Sequence, residues 1–134
     1  MTMEIPAEIR DAMVQHALEE DPNECCGILA GAGGIVLHQY RITNTEQSPY
    51  RYSMDGRELN QVLRELDDNG WEMQVIYHSH THSPAYPSAT DVRLAANWPD
   101  PFYLLVSLMD KQSPDVRLFI IADGKVVEEP VVIT

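Results

Sequence analysis

The feature that most constrains this chain is a buried strand that ends in two alternating histidines. Residues 72–77 have the character of an interior strand, and His78 and His80 follow them. Side chains two residues apart on a strand project from one face, so the two imidazoles converge on one point. A short loop then leads to 87–91, where a helix is predicted to begin. The fold must therefore bring a strand end, a loop and a helix start together.

Three side chains of this segment form a donor set that suits zinc. The first turn of the predicted helix carries Asp91 towards His78 and His80, and three protein ligands leave a fourth position open, as in catalytic zinc sites. Taken singly, each residue has an ordinary explanation, since Ser88 and Asp91 also fit a helix capping pattern. Capping does not exclude chemistry, and the combination favours a metal site. His82 continues the alternation, but we interpret it as a loop residue near the mouth of the site.

A zinc hydrolase also needs a general base, and no glutamate lies within the segment from His78 to Asp91. Glu24 is the best candidate, because it opens an otherwise apolar stretch of small residues that should be buried. A buried carboxylate requires a partner or a function. The alternative is that Glu24 lies at a helix end or strand edge and faces solvent.

These residues resemble the signature of the JAMM or MPN+ zinc metalloproteases. That signature is a distant glutamate followed by His-x-His, seven residues and Ser-x-x-Asp, and the chain matches it without a gap. The resemblance implies that one zinc ion per chain is bound by His78, His80 and Asp91. It also implies that Glu24 is the general acid and base and that Ser88 is an oxyanion donor.

The resemblance covers essentially the whole chain and is strongest to small bacterial members of the family that stand alone. It implies hydrolysis of an amide bond at the Gly-Gly C-terminus of a ubiquitin-like sulfur carrier, with release of cysteine from a carrier-cysteine adduct in cysteine biosynthesis. Two alternatives remain open. One is an isopeptidase or C-terminal processing protease for another ubiquitin-like carrier, and the other is a non-catalytic MPN scaffold. The chain is too short for the insertions with which eukaryotic relatives hold ubiquitin.

Composition limits the remaining possibilities. With 134 residues and 44% hydrophobic content, residues 1–134 are expected to form a single domain. A cytoplasmic protein is expected, because no apolar run is long enough for a membrane span and the start of the chain lacks the features of a signal peptide. The formal net charge of −12 argues against nucleic acid and anionic membranes as partners. Oligomeric state does not follow from the sequence.

Cys25 and Cys26 are adjacent, which favours two reduced, buried thiols over a disulfide.

The pattern of elements predicts an α/β fold in which helices flank a curved, mixed β-sheet, and the resemblance identifies it as JAMM/MPN-like, or cytidine-deaminase-like. Apolar residues at helical spacing predict two long helices, the second ending at Asn69-Gly70. The turn 122–125 predicts a two-residue β-hairpin. Three helices are predicted, one at 6–19, a second containing 59–66 and a third beginning near 87. Six strands are predicted, at 25–30, 34–42, 72–80, 102–108, 116–121 and 126–129, and an extended piece is predicted at 50–54.

Overall fold

The computed structural model describes residues 3–134, and its central feature is a mixed β-sheet with helices on both faces. Its helices are α1 (Ala7–Glu20), α2 (Gly56–Asn69) and α3 (Ala89–Leu94), and a single 3-10 turn (Ala95–Asn97) follows α3. Its strands are β1 (Met3–Ile5), β2 (Cys26–Ala32), β3 (Ile35–Ile42), β4 (Glu72–His80), β5 (Phe102–Ser107), β6 (Asp115–Ala122), β7 (Lys125–Glu129) and β8 (Val131–Ile133).

The strand that carries the two histidines lies in the interior of the sheet. Across the described residues the strand order is β7-β6-β5-β4-β2-β3-β1-β8. Strand β4 pairs antiparallel with β2 and parallel with β5, so both of its edges are hydrogen-bonded. A strand held on both edges has little freedom to shift, which makes its C-terminal end a rigid platform for side chains.

Alternation along β2 explains how the helices pack on opposite faces. Leu29 belongs to the cluster that contains Met13 and Ala17 of α1. Ile28 belongs to a second cluster, with residues of α2 on the other face of the sheet. Successive strand residues point to opposite faces, so a strand covered on both sides must be apolar at nearly every position. The uninterrupted apolar and small-residue character of β2 has this origin.

Local sequence signals position the ends of α2 and the final hairpin. Asp55 caps α2, where its side chain accepts a hydrogen bond from the Glu58 amide at 3.0 Å. Gly70 ends the helix in the left-handed conformation with φ 67°. Asp123 and Gly124 also have positive φ and join β6 to β7, as expected of a two-residue hairpin.

Most of the predicted elements are confirmed, and the structure differs from the prediction at two places. The sequence analysis missed β1 and β8, three-residue strands that pair with each other in parallel. Strands this short carry no detectable period, because their pairing depends on distant partners. The extended piece at 50–54 forms one isolated bridge, from Met54 to Asn44.

None of the helices in residues 3–134 is long and apolar enough to cross a membrane.

Candidate metal centre

The two histidines lie at the C-terminal end of β4 with very little exposure to solvent. The exposed fraction is 1% for His78 and 5% for His80. His78 pairs with Cys26 on β2 and with Leu105 on β5, which holds its backbone from both sides. The two rings lie edge to face with centroids 5.1 Å apart. Strand alternation therefore directs both imidazoles to the same buried point, as predicted.

The helix start that follows carries the third side chain to this point. Ser88 caps α3, and its Oγ accepts a hydrogen bond from the Asp91 amide at 3.1 Å. In return, Oδ2 of Asp91 accepts a hydrogen bond from the Ser88 amide at 2.9 Å. This capping box fixes the Asp91 rotamer by local contacts alone. The cap therefore also sets the orientation of the carboxylate within the site.

The donor atoms of these three residues converge as a metal site requires. Oδ2 of Asp91 lies 3.0 Å from Nε2 of His80 and 3.1 Å from Nε2 of His78. One donor atom from each residue lies within 4.8 Å of the others. Two imidazoles and one carboxylate are a recurrent donor set of catalytic zinc. Separations of this size suit donors around an ion with bonds of about 2.0–2.2 Å.

The buried nitrogens of His78 provide an independent test of the fit. Both ring nitrogens are buried; Nδ1 has no hydrogen-bond partner among the described residues, and Nε2 has only the 3.1 Å approach of Asp91 Oδ2. Burying polar atoms without a partner costs free energy, which coordination of a cation would recover. Nδ1 of His80 lies 2.9 Å from the Pro84 carbonyl oxygen, an acceptor that selects the tautomer with Nε2 free to bind a metal. The residues present therefore fit a zinc ion.

The electrostatic environment favours the protonation state of a metal ligand at His78 and Asp91 but not at His80. Burial lowers the pKa of His78, which favours the neutral imidazole. Burial also opposes protonation of His80, but its contacts with Asp91 and the Pro84 carbonyl outweigh burial and raise its pKa. Burial acts to raise the pKa of Asp91, yet the two histidines and the Ser88 amide outweigh it and hold that pKa well below its usual range. The carboxylate is therefore ionised at neutral pH.

Glu24 is buried next to these three residues and has no partner of its own. It is 3% exposed, and its Oε1 has no hydrogen-bond partner among the described residues. Cys26 pairs with His78, and the Ser79 amide donates to the Cys25 carbonyl at 3.2 Å. Extending this antiparallel register by two residues from the Cys26–His78 pair would set Glu24 opposite His80, and the charges of His80 and Asp91 both act on Glu24. Burial raises the pKa of Glu24 to about 8. The alternative of a solvent-facing Glu24 is therefore wrong.

Two further residues support this group, and the sequence reasoning did not single them out. Asn44 donates from Nδ2 to the carbonyl oxygens of Glu24 at 3.0 Å and Arg51 at 3.2 Å. The ring of Tyr52 packs against that of His78 with centroids 4.5 Å apart. Both lie in the irregular segment between β3 and α2, where no periodic signal exists. Only an asparagine near a turn could have been noticed from the sequence.

The other residues named from the sequence lie at the edges of the site. Ser88 is exposed, and its hydroxyl hydrogen is not needed for the cap, in which its oxygen is the acceptor. His82 is exposed outside the group of three, with Nδ1 2.8 Å from Oγ1 of Thr81. Cys25 and Cys26 are buried free thiols, as expected, and burial raises the pKa of both. The catalytic and ligand roles assigned from the sequence stay predictions.

Comparison with known proteins adds an independent line of evidence. Residues 6–121 match the family described as prokaryotic homologs of the JAB domain. The chain is 46% identical over 129 residues to the CysO-cysteine peptidase of Mycobacterium tuberculosis, covering 95% of this chain and 88% of that protein. It is 34% identical over 123 residues to the desampylase of Haloferax volcanii, covering 87% and 84%. A solution structure from Desulfitobacterium hafniense superposes with a TM-score of 0.89 at 37% identity, covering 100% of this chain and 93% of the other.

The fold, the arrangement of the site and these similarities define one class of protein. The chain belongs to the prokaryotic homologs of the JAB domain, the JAMM-type peptidases with the MPN fold. The predicted family, the α/β fold class and the assignment as a hydrolase are thereby confirmed.

Proposed function

We propose that this enzyme hydrolyses an amide bond at the C-terminus of a ubiquitin-like sulfur carrier with a Gly-Gly end, and that it releases cysteine from a carrier-cysteine adduct. One structural observation carries the hydrolytic part, namely the buried, unpaired carboxylate of Glu24 beside His78, His80 and Asp91. The similarity to a CysO-cysteine peptidase over 95% of this chain supports the carrier adduct as substrate. Cysteine biosynthesis would be the corresponding pathway.

We infer that His78, His80 and Asp91 hold one zinc ion per chain. When bound, zinc supplies Lewis acidity, which polarises a carbonyl and lowers the pKa of water. The capping box and the Pro84 carbonyl hold two of the three ligands in place before any metal arrives. Such preorganisation reduces the cost of ordering the site.

Glu24 would move the proton in this reaction. Without a hydrogen-bond partner, Oε1 is free to accept a proton from water and later to give it to the departing amine. Burial keeps the carboxyl protonated near neutral pH, and a divalent cation nearby would lower that pKa towards the ionised form. Ser88 would donate its hydroxyl hydrogen to the carbonyl oxygen of the scissile bond as negative charge develops there.

The substrate tail would reach the site past Tyr52. The ring of Tyr52 covers one side of His78, and a cavity of about 230 Å³ adjoins it, with Met54 and Ile76 in its walls. An extended tail of small residues suits such a confined approach, because larger side chains would hold the carbonyl away from the buried site. Glycine residues meet this demand. We also infer that residues 1–134 act as a single domain in the cytoplasm.

Mass spectrometry of a carrier that bears a C-terminal cysteine tests this proposal. The zinc-loaded enzyme should remove one cysteine residue, whereas chelator-treated enzyme and a Glu24→Gln variant should leave the carrier intact. Cleavage by chelated enzyme would contradict the role of the metal. Failure to cleave this adduct, together with cleavage of a carrier joined to a lysine side chain, would favour the alternative of an isopeptidase for another ubiquitin-like carrier.

A further inference from the structure

A second and larger cavity lies at the end of the sheet opposite the histidines. It has a volume of about 790 Å³, and its walls come from the C-terminal half of α2, the first residues of β4 and the loop before β5. Gln74 in its wall precedes His80 by six residues on β4, which corresponds to about 20 Å along the strand. The cavity therefore lies away from the histidines, although Trp98 also lines the smaller cavity beside Tyr52. Its size is typical of a ligand site.

The walls of this cavity combine aromatic rings with carboxylates. Trp71 and Trp98, the only two tryptophans of the chain, both line it. No lysine or arginine from residues 3–134 does so. Aromatic faces and carboxylates both attract cations, and their combination discriminates against anions. The remaining residues that matter here are Phe102 and the acids Asp67, Glu72 and Asp100.

One buried amide in the wall of this cavity lacks a hydrogen-bond partner. Gln74 is only 7% exposed, and its Nε2 has no hydrogen-bond partner in the described part of the chain. The register between β2 and β4 skips this residue, since Leu29 pairs with Val75 and Ala30 with Met73. A bulge of this kind re-aims a side chain at a cost to the strand pairing. A guanidinium has no acceptor for this nitrogen, so the amide must turn about its last bond and bring its oxygen to this position.

We propose that this cavity binds the side chain of an arginine within a peptide segment of a partner protein. A guanidinium group is planar and weakly hydrated and stacks on aromatic rings such as those of tryptophan. Its five N–H donors match a wall of three carboxylates and an amide oxygen. The formal net charge of −12 attracts a basic segment. The cavity exceeds one guanidinium in volume, which leaves room for the residues on either side of the arginine.

The two tryptophans make the binding directly measurable, because no other tryptophan contributes to the fluorescence. The probe is a tripeptide Gly-Arg-Gly with both termini blocked, titrated into the zinc-loaded protein. We expect a saturable change in fluorescence with a Kd of about 1 mM or tighter. The matched probe replaces arginine with citrulline, which has nearly the same shape without the charge and should bind at least about tenfold more weakly.

Paired variants separate a local effect from a general charge effect. Asp67→Asn combined with Asp100→Asn should weaken binding of the arginine peptide by about tenfold or more. Asp68→Asn is the control, because Asp68 neighbours Asp67 on α2 and is also exposed but does not line the cavity. It should leave the Kd within about twofold of the parent value.

Several results would overturn the proposal. One is the absence of a saturable fluorescence change up to about 10 mM arginine peptide. Another is that the citrulline peptide binds as tightly as the arginine peptide. A third is that Asp68→Asn weakens binding as much as the double variant does. Binding of free arginine without binding of the blocked peptide would overturn the assignment to a protein segment. All of these outcomes are read from fluorescence rather than from cleavage. Because Trp98 also lines the cavity beside Tyr52, it is the loss of affinity in the Asp67→Asn and Asp100→Asn double variant that assigns the binding to the larger cavity.

Discussion

Asn44 offers the sharpest test of how the fold positions Glu24. Its Nδ2 donates to the carbonyl oxygens of Glu24 and Arg51, while its Oδ1 accepts from the amides of Glu46 and Ser53 at 3.0 Å each. The change Asn44→Asp keeps the acceptor and replaces the donor with an oxygen that faces two carbonyls. Because the three proposed metal ligands are untouched, zinc content should not change.

The size of the effect follows from the bonds that are lost. Each of the two hydrogen bonds from Nδ2 contributes about 0.5–1.5 kcal/mol net, so the variant loses about 1–3 kcal/mol. If the whole of this free energy is lost from the transition state, kcat/KM falls about 5- to 150-fold. We expect most of the loss in kcat, because Asn44 orients a proton-transferring group through its backbone rather than a binding surface.

The assay is release of cysteine from a carrier-cysteine adduct, with zinc content measured on the same samples. Thr45→Ala is the matched control, since Oγ1 of Thr45 donates to the Ser53 carbonyl at 3.1 Å in the same segment and does not contact Glu24. The reasoning fails if Asn44→Asp retains the parent kcat/KM, or if Thr45→Ala loses as much. The second result would mean that order in the segment as a whole matters, rather than the link to Glu24.

Three further predictions concern the site and the core. Glu24→Gln should retain zinc and lose about 10²–10⁴-fold in kcat, and an active variant would exclude Glu24 as the proton carrier. Asp91→Ala should abolish zinc binding, as measured by metal content after purification, and a full equivalent of zinc would show that it is not a ligand. His16 is 4% exposed, its Nδ1 lies 2.7 Å from the Tyr77 hydroxyl oxygen, and burial lowers its pKa to about 4. Because the unfolded chain then binds more protons below pH 6.5, the free energy of unfolding should fall by about 2 kcal/mol between pH 7 and pH 5. The change His16→Gln should remove this part of the pH dependence. The free energy of unfolding of both proteins is measured by chemical denaturation at pH 7 and pH 5, and an equal difference between the two pH values in parent and variant would refute the role of His16.

The confirmed parts of the fold are those with a strong local pattern. The helical spacing in α2, the Asn69-Gly70 stop and the hairpin at Asp123-Gly124 all depend on residues a few positions apart. The segment between β3 and α2 has no such pattern, yet it supplies Asn44 and Tyr52 to the site. Its conformation is held by hydrogen bonds to residues elsewhere in the chain, which no local period reveals.

The sequence by itself determined the donor set. The spacing of His78 and His80 on a strand, and of Ser88 and Asp91 at a helix start, follows from the periods of the two regular structures. The burial of Glu24 near His80 and Asp91 depends instead on the tertiary structure, because it follows from the pairing of β2 with β4. The same long-range pairing produced the bulge at Gln74 and the cavity beside it. The physical reason is that backbone geometry relates neighbours along the chain, whereas burial of the two faces of the sheet relates segments far apart in sequence.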